Sequence, residues 1–346
     1  MKTFLTLSFL VISTGLGYAQ NILTADNRVS ATQPPVYKTL TEAIGAATSG
    51  DHIYVMPSPV IYGNIIISKQ VSLFGTGFNP VKEQANILSR VSGITLQEGA
   101  TDVRLTGLVI GGIVYDVDLD GLLLEKCQLT RLAPGGTFNT HSNVVISNCI
   151  FSGLQQSFSI LEIRGATSNF IVKNNIFFYW ADSMPILLQG AIITNNIFTA
   201  PQNVDFGVLE DCEVSDNIFV AIEIERPGTS WSKRCIFNNN IFTLSNDPLQ
   251  VSTNTGSNNL LATDPLFDNF LNANVYEYSR DFDFHLRSDS PGKNGGTDGT
   301  DIGIYGGNSP FIPTGVPLPI VQRLNVVPLQ VAPGEDLEVE IKARSY

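Results

Sequence analysis

The densest group of ionisable side chains in the sequence lies in GIVYDVDLDG, where Asp116, Asp118 and Asp120 alternate with Val117 and Leu119. On an extended strand this alternation sends the two apolar side chains to one face and the three carboxylates to the other, neighbours standing about 7 Å apart. Two such carboxylates can share a cation and the third needs help from an adjacent element. A calcium site at Asp116, Asp118 and Asp120 therefore stands beside a plainly solvated acidic face. The run also matches the opening D-x-D-x-D-G of a calcium loop, but its twelfth position is Cys127 where that loop needs Glu, which excludes the helical form. No cofactor is required by any other motif.

Farther along, Glu162 and Arg164 in SILEIRG, Gln189 in PILLQG, and Glu210 or Asp211 in VLEDC place polar groups in short apolar runs. Phe178, Tyr179 and Trp180 precede ADSMP, and Trp231 sits in GTSWSK. Flat rings beside polar groups suit a sugar-binding face, with Trp180, Gln189 and Trp231 as the substrate-binding candidates. The alternative for such rings is packing beneath loops, and Phe178 fits that alternative better.

What would position these groups is a repeat. SNCIF (147–151) returns as KNNIF, TNNIF, SDNIF and NNNIF, with weaker copies in VRLTGLVI and LLLEKCQL. The eight-residue windows end at 110, 129, 151, 177, 198, 219 and 242, a spacing of 19 to 26 residues that marks a solenoid. Their first and third positions are apolar, with Val, Ile and Phe prominent, and the fourth is polar, which predicts a short strand turning two side chains inward. The Asn pair then predicts a tight bend, because Asn tolerates left-handed backbone angles, and stacking at about 4.8 Å makes an amide ladder. A second strand follows the bend and a third precedes each window. The predicted fold is all-β, a right-handed parallel β-helix with three short strands per coil.

Open coil ends need covers. TLTEAIGAATSG predicts an amphipathic capping helix with a Thr39–Glu42 capping box, burying Ala43, Ile44 and Ala47. This opening, YKTLTEAIGAATSGDHIYVMPSPVIYGNIIISKQVSLFGTGF, together with TDPLF, DFHLRSDSPG and GTDGTDIGIYGG over residues 263–307, resembles secreted bacterial right-handed β-helix proteins of the pectin-lyase-like superfamily. The resemblance covers roughly residues 36–307 and implies a last coil and cap over 263–307. It also implies a carbohydrate groove on the outer face of the strands preceding each window. It is specific for fold and weak for activity, since the superfamily holds lyases, hydrolases, epimerases and adhesins.

On such a face Asp118, Glu162 and Arg164 are the catalytic candidates. Elimination from a uronate would use Arg164 as base with Asp116 and Asp118 holding a cation, two coils or about 10 Å away, which is long for the task. Glycoside hydrolysis needs carboxyls about 5 Å or about 6.5–9.5 Å apart, and Asp118 with Asp120 meets the longer spacing, as would any two acids so placed on a strand. The pectate-lyase motifs WIDH and RxPxxR and the polygalacturonase set NTD, GHG and RIK are absent from the sequence. Among His52, His141 and His285, His141 is the one that could face this groove.

Lys2, the apolar run from Phe4 to Leu16 and Gly17-Tyr18-Ala19 predict a cleaved secretory signal over 1–19, with the β-helix over 20–310 and a Pro-rich segment and hairpin-like tail over 311–346. The expected localisation is secreted or at the cell envelope, with no transmembrane segment in the mature chain. With 43% hydrophobic and 15% charged residues the 346-residue chain can bury a large core, and a net charge of −12 argues against nucleic acid as partner. Cys127 with Cys149 and Cys212 with Cys235 occupy equal positions on consecutive coils, which admits either two stacked disulfides or buried thiols. The function expected is binding of a polysaccharide or cell-surface glycan without catalysis; a lyase or hydrolase, and a structural spacer, are the alternatives.

Overall fold

The computed structural model describes residues 20–79, 87–137, 140–152, 160–178, 183–224, 232–251, 253–270, 278–313, 320–327 and 338–344. The segment expected to be a secretory signal, and both Trp180 and Trp231, lie outside these residues.

Alternation within each window is realised as strand structure. Val144 and Ile146, Phe170 and Val172, and Ala191 and Ile193 are buried, whereas the intervening Val145, Ile171 and Ile192 face outward. Each window lies directly beside its counterpart one coil away: Ile146 pairs with Val172, Val172 with Ile193, and Ile193 with Val214. The result is a 12-stranded first sheet built on these windows. A second stack follows the bend, aligning Phe151, Phe177, Phe198, Phe219 and Phe242. A third precedes the window, aligning Ile113, Leu132, Leu161 and Ile186. Three parallel stacks wound in one right-handed sense make the chain a parallel β-helix.

The four residues of NNIF have four separate duties. The first Asn takes the left-handed bend, with φ of 54° at Asn148, 53° at Asn174, 55° at Asn195 and 54° at Asn239. The second points into the coil: Nδ2 of Asn175 donates to Oδ1 of Asn196 at 3.0 Å, and Asn196, Asn217, Asn240 and Asn259 continue the chain of amides at 3.0–3.1 Å. Phe points inward and stacks on its neighbours with centroids 4.6–5.0 Å apart, each pair contributing about 0.5–1.5 kcal/mol beyond burial.

Ile points outward and would be exposed. It is instead covered, because residues 290–313 run back along the helix and bury Ile150, Ile176, Ile197, Ile218 and Ile241 in a second core with Ile302, Ile304 and Phe311. The outward Asn of each bend fastens this strap. Asn239 donates to Gly295 O at 2.7 Å, Asn195 to Gly303 O at 3.4 Å, Asn174 to Ile304 O and Gly306 O at 2.9 Å, and Asn148 to Ser309 O at 3.3 Å. Asp216 replaces Asn on one coil and accepts from Thr297 N and Oγ1 at 2.8 and 2.6 Å. Gly303 is required here: its φ is 93°, and a Cβ would sit 2.8 Å from Ile218 Cδ1.

Coils also extend beyond the repeat found by sequence, through Ile22–Ala25, His52–Val55 and Ser72–Phe74 at the front and Thr255–Ser257 at the back. The helix Leu40–Ala46 has the Thr39–Glu42 capping box and buries Ala43 and Ile44, with Ala47 buried just beyond its end. In the tail, Ile320–Val327 and Glu338–Arg344 pair as an antiparallel hairpin. Among the described residues no helix is long and apolar enough to cross a membrane.

All four cysteines are buried thiols. Cys127 and Cys149 stand where later coils have the inner Asn: Cys149 Sγ donates to Leu124 O at 3.6 Å, as Asn175 Nδ2 does to Ile146 O at 2.9 Å. Cys212 and Cys235 do the same at the opposite corner, where Cys235 N donates to Asn254 Oδ1 at 3.0 Å. Stacked thiols thus extend the amide ladder at one corner and stand in line with Asn254 at the other.

Candidate functional site

The residue just before each window forms a second left-handed corner, whose identity varies from coil to coil. Gly121, Asn143, Asn169, Gly190, Asp211 and Arg234 occupy it, with φ between 50° and 75°. Gly, Asn and Asp adopt this angle readily; an Arg there carries roughly 1–2 kcal/mol of strain. Arg234 gains three contacts in exchange, to Asp211 Oδ1 at 2.7 Å and Oδ2 at 2.8 Å and to Glu210 Oε1 at 2.6 Å.

The third stack delivers polar side chains to this corner in register. Gln189 pairs with Glu210, and Glu210 with Lys233. Glu162 pairs with Leu187, so continuing the register sets Arg164 beside Gln189. Pro134 pairs with Tyr115, which sets Asp116 against Gly135; a Cβ on Gly135 would overlap the Asp116 carboxylate. Asp116, Gly135, Arg164, Gln189, Glu210 and Lys233 thus form one row crossing six coils.

The acidic run departs from expectation in one respect. Its strand is Ile113–Tyr115 and ends before Asp116, so the three carboxylates lie on a bend and not along one strand face. They are exposed, with Leu119 buried between them, and Asp118 and Asp120 are turned to different partners. Asp118 accepts from Thr140 N at 3.4 Å and Oγ1 at 3.3 Å. Asp120 accepts from Ser142 Oγ at 2.6 Å and Asn143 Nδ2 at 3.1 Å, and these bonds, Ser142 first, hold its carboxyl below the usual range. Among the described residues no three His, Cys, Asp or Glu side chains converge as a metal site.

Of the catalytic candidates, Glu162 and Arg164 come together, and Asp118 bonds Thr140 on the adjacent coil. Arg164 Nε donates to Glu162 Oε1, a pair in which the carboxylate is nearly buried and the guanidinium half exposed. A guanidinium bound to a carboxylate stays protonated and is poorly suited to abstract a proton.

Two buried side chains fix the backbone beneath that pair. Tyr115 Oη donates to Glu162 O at 2.9 Å, and burial pushes the phenol up to about 12. His141, 2% exposed, accepts Leu119 N–H on Nδ1 at 3.0 Å and donates from Nε2 to Arg164 O at 2.9 Å. Burial holds the imidazole below its usual value, keeping it neutral in that tautomer. His141 therefore positions Arg164 and does not face solvent. The signal for Tyr115 was present in the sequence: an inward Tyr must find a buried partner for its hydroxyl.

Of the sugar-binding candidates, Gln189 is half-buried in the polar row, and its side chain joins that of Arg234 in lowering the Asp211 carboxyl, Arg234 being the larger influence. Phe178 is buried against Phe270, Phe282 and Phe284.

No protein-family model matches the chain, and no curated protein matches its sequence.

Proposed function

We propose that the protein is an exported β-helix of pectin-lyase-like type that binds an extended polysaccharide along its third stack, without cleaving it. The observation that carries this reading is the in-register row Asp116, Arg164, Gln189, Glu210 and Lys233. Donors and acceptors recurring at a coil spacing of about 4.8 Å suit a polymer whose own rings recur at a similar interval. Two of these groups are held by neighbours outside the row, Arg164 by Glu162 and Glu210 by Arg234, which favours a rigid recognition surface over a proton-transfer site. Export rests on the N-terminal sequence, Lys2 followed by the apolar run and Gly17-Tyr18-Ala19.

The test is to incubate the purified chain with neutral and uronic-acid glycans, with and without calcium, and to follow both retention and products. Retained glycan with no new reducing or unsaturated ends, weakened in an Arg164→Gln, Glu210→Gln double variant, is the expected result. New chain ends would make the protein a hydrolase or lyase, and no retention of any glycan would leave a spacer.

A further inference from the structure

Away from the corner row, residues 278–285 and the strap enclose a cleft of about 340 Å³. It is lined by Tyr278, Arg280, Asp281, Asp283, His285 and Tyr305 among others. In the strand Asp283–Leu286, Phe284 and Leu286 are buried in the second core, so Asp283 and His285 project from the opposite face. Asp283 Oδ1 accepts both the His285 backbone N–H, at 3.0 Å, and the ring Nδ1–H, at 2.5 Å. With Nδ1 so engaged, Nε2 is the ring nitrogen left to meet a ligand. Tyr305 lies flat against the ring, with centroids 3.6 Å apart and planes 7° apart. Arg280 is anchored at the other side by a bond from Nη2 to Phe78 O at 3.1 Å. A histidine so oriented on an outward face has no duty in either core.

We propose that this cleft is a binding site for a neutral sugar ring, recognised through a vicinal diol. Each hydroxyl of a diol both donates and accepts; Asp281 and His285 Nε2 supply acceptors while the Arg280 guanidinium supplies donors. Tyr278 supplies an aromatic edge for the C–H face of the ring, and its hydroxyl, pushed up to about 12 by burial, stays protonated. Asp281 and Asp283, both in the lining, disfavour an acidic sugar. The cleft volume is at the small end of the roughly 300–1,000 Å³ found for small-ligand sites, which fits a short saccharide better than a long chain. The proposal is independent of the reading of the corner row.

The experiment titrates the full chain with a panel of neutral monosaccharides and their methyl glycosides, using calorimetry and saturation-transfer NMR. One or more members bind saturably, with transfer from Tyr278 and Tyr305 ring protons. Asp281→Asn and His285→Gln each weaken binding about tenfold or more. Gln189→Ala, in the corner row, leaves it unchanged. Both variants alter exposed side chains, and an unchanged unfolding midpoint confirms that each is folded. No saturable binding, binding that both cleft variants leave intact, or binding lost in Gln189→Ala would each overturn the proposal. So would selective binding of a quaternary amine such as choline in place of the sugars.

Discussion

Asn217 and Asn240, one coil apart, are joined twice: Asn240 Oδ1 accepts Asn217 Nδ2 at 3.1 Å and Asn217 backbone N at 3.0 Å. Both groups are fully buried. Because Asn217 Oδ1 accepts the same pair of bonds from Asn196, the ladder satisfies a buried backbone donor at each of these bends.

Removing one rung strands several donors at once. Asn217→Ala leaves the Asn196 N–H and one of its two Nδ2 hydrogens without their acceptor and removes one donor each from Ile193 O and Ser215 O. At about 1–3 kcal/mol for each unsatisfied buried group, a loss of at least about 2–4 kcal/mol is expected in urea unfolding. Asn195→Ala, at the outward position, should cost about 1–2 kcal/mol through its left-handed φ and one strap bond. Equal losses for the two variants would contradict the division of duties between the paired asparagines.

Much of this was legible in the sequence because a solenoid writes its architecture repeatedly. The spacing of the windows, the inward first and third positions and the capping box at Thr39 all follow from local preferences that agree with one another. The strap was not legible. Nothing within NNIF separates an Ile facing solvent from one facing residues 290–313, since that contact is made over 50 to 160 positions of sequence. The last coil was also hidden, although TGSNNLL repeats the motif with Leu260 and Leu261 in the places of Ile and Phe. At the candidate site the outward placement of Asp116, Asp118 and Asp120 was readable from alternation, whereas their partners Thr140, Ser142 and Asn143 come from the next coil.

The strap should be energetically part of the fold. Ile304→Ala empties a site that is 1% exposed in the second core and is expected to cost about 2–5 kcal/mol, measured by denaturant unfolding. Chains truncated before residue 290 should bind a hydrophobic dye through the exposed isoleucine row. A truncated chain that stays monomeric and dye-free would show that another segment covers that row.

The thiol ladders make a redox prediction. With all four cysteines buried, the folded protein should not react with a water-soluble disulfide reagent on the timescale of minutes. In denaturant all four thiols should titrate. Burial pushes the Cys149 thiol well up, which further slows attack in the fold. Fewer than four thiols in the unfolded chain would reveal disulfides between consecutive coils.

Asp216 supplies a pH test, because the other strap-facing bends carry Asn and this one carries an acid. Burial is the largest influence on it and outweighs the Thr297 bonds, so its carboxyl titrates above the ordinary value. The native state therefore holds this proton more tightly than the unfolded chain. The associated stability is complete below the unfolded value and is lost as pH rises through the folded one. Asp216→Asn keeps an acceptor for Thr297 N and offers a donor to Thr297 Oγ1 while removing the buried charge. The variant should thus be more stable than the parent at pH 7 and close to it at about pH 3, below the ordinary Asp value of about 3.9. Paired thermal melts at the two pH values decide the matter: a variant less stable at pH 7 would mean that the charged carboxylate, and not its shape, holds Thr297 and the strap.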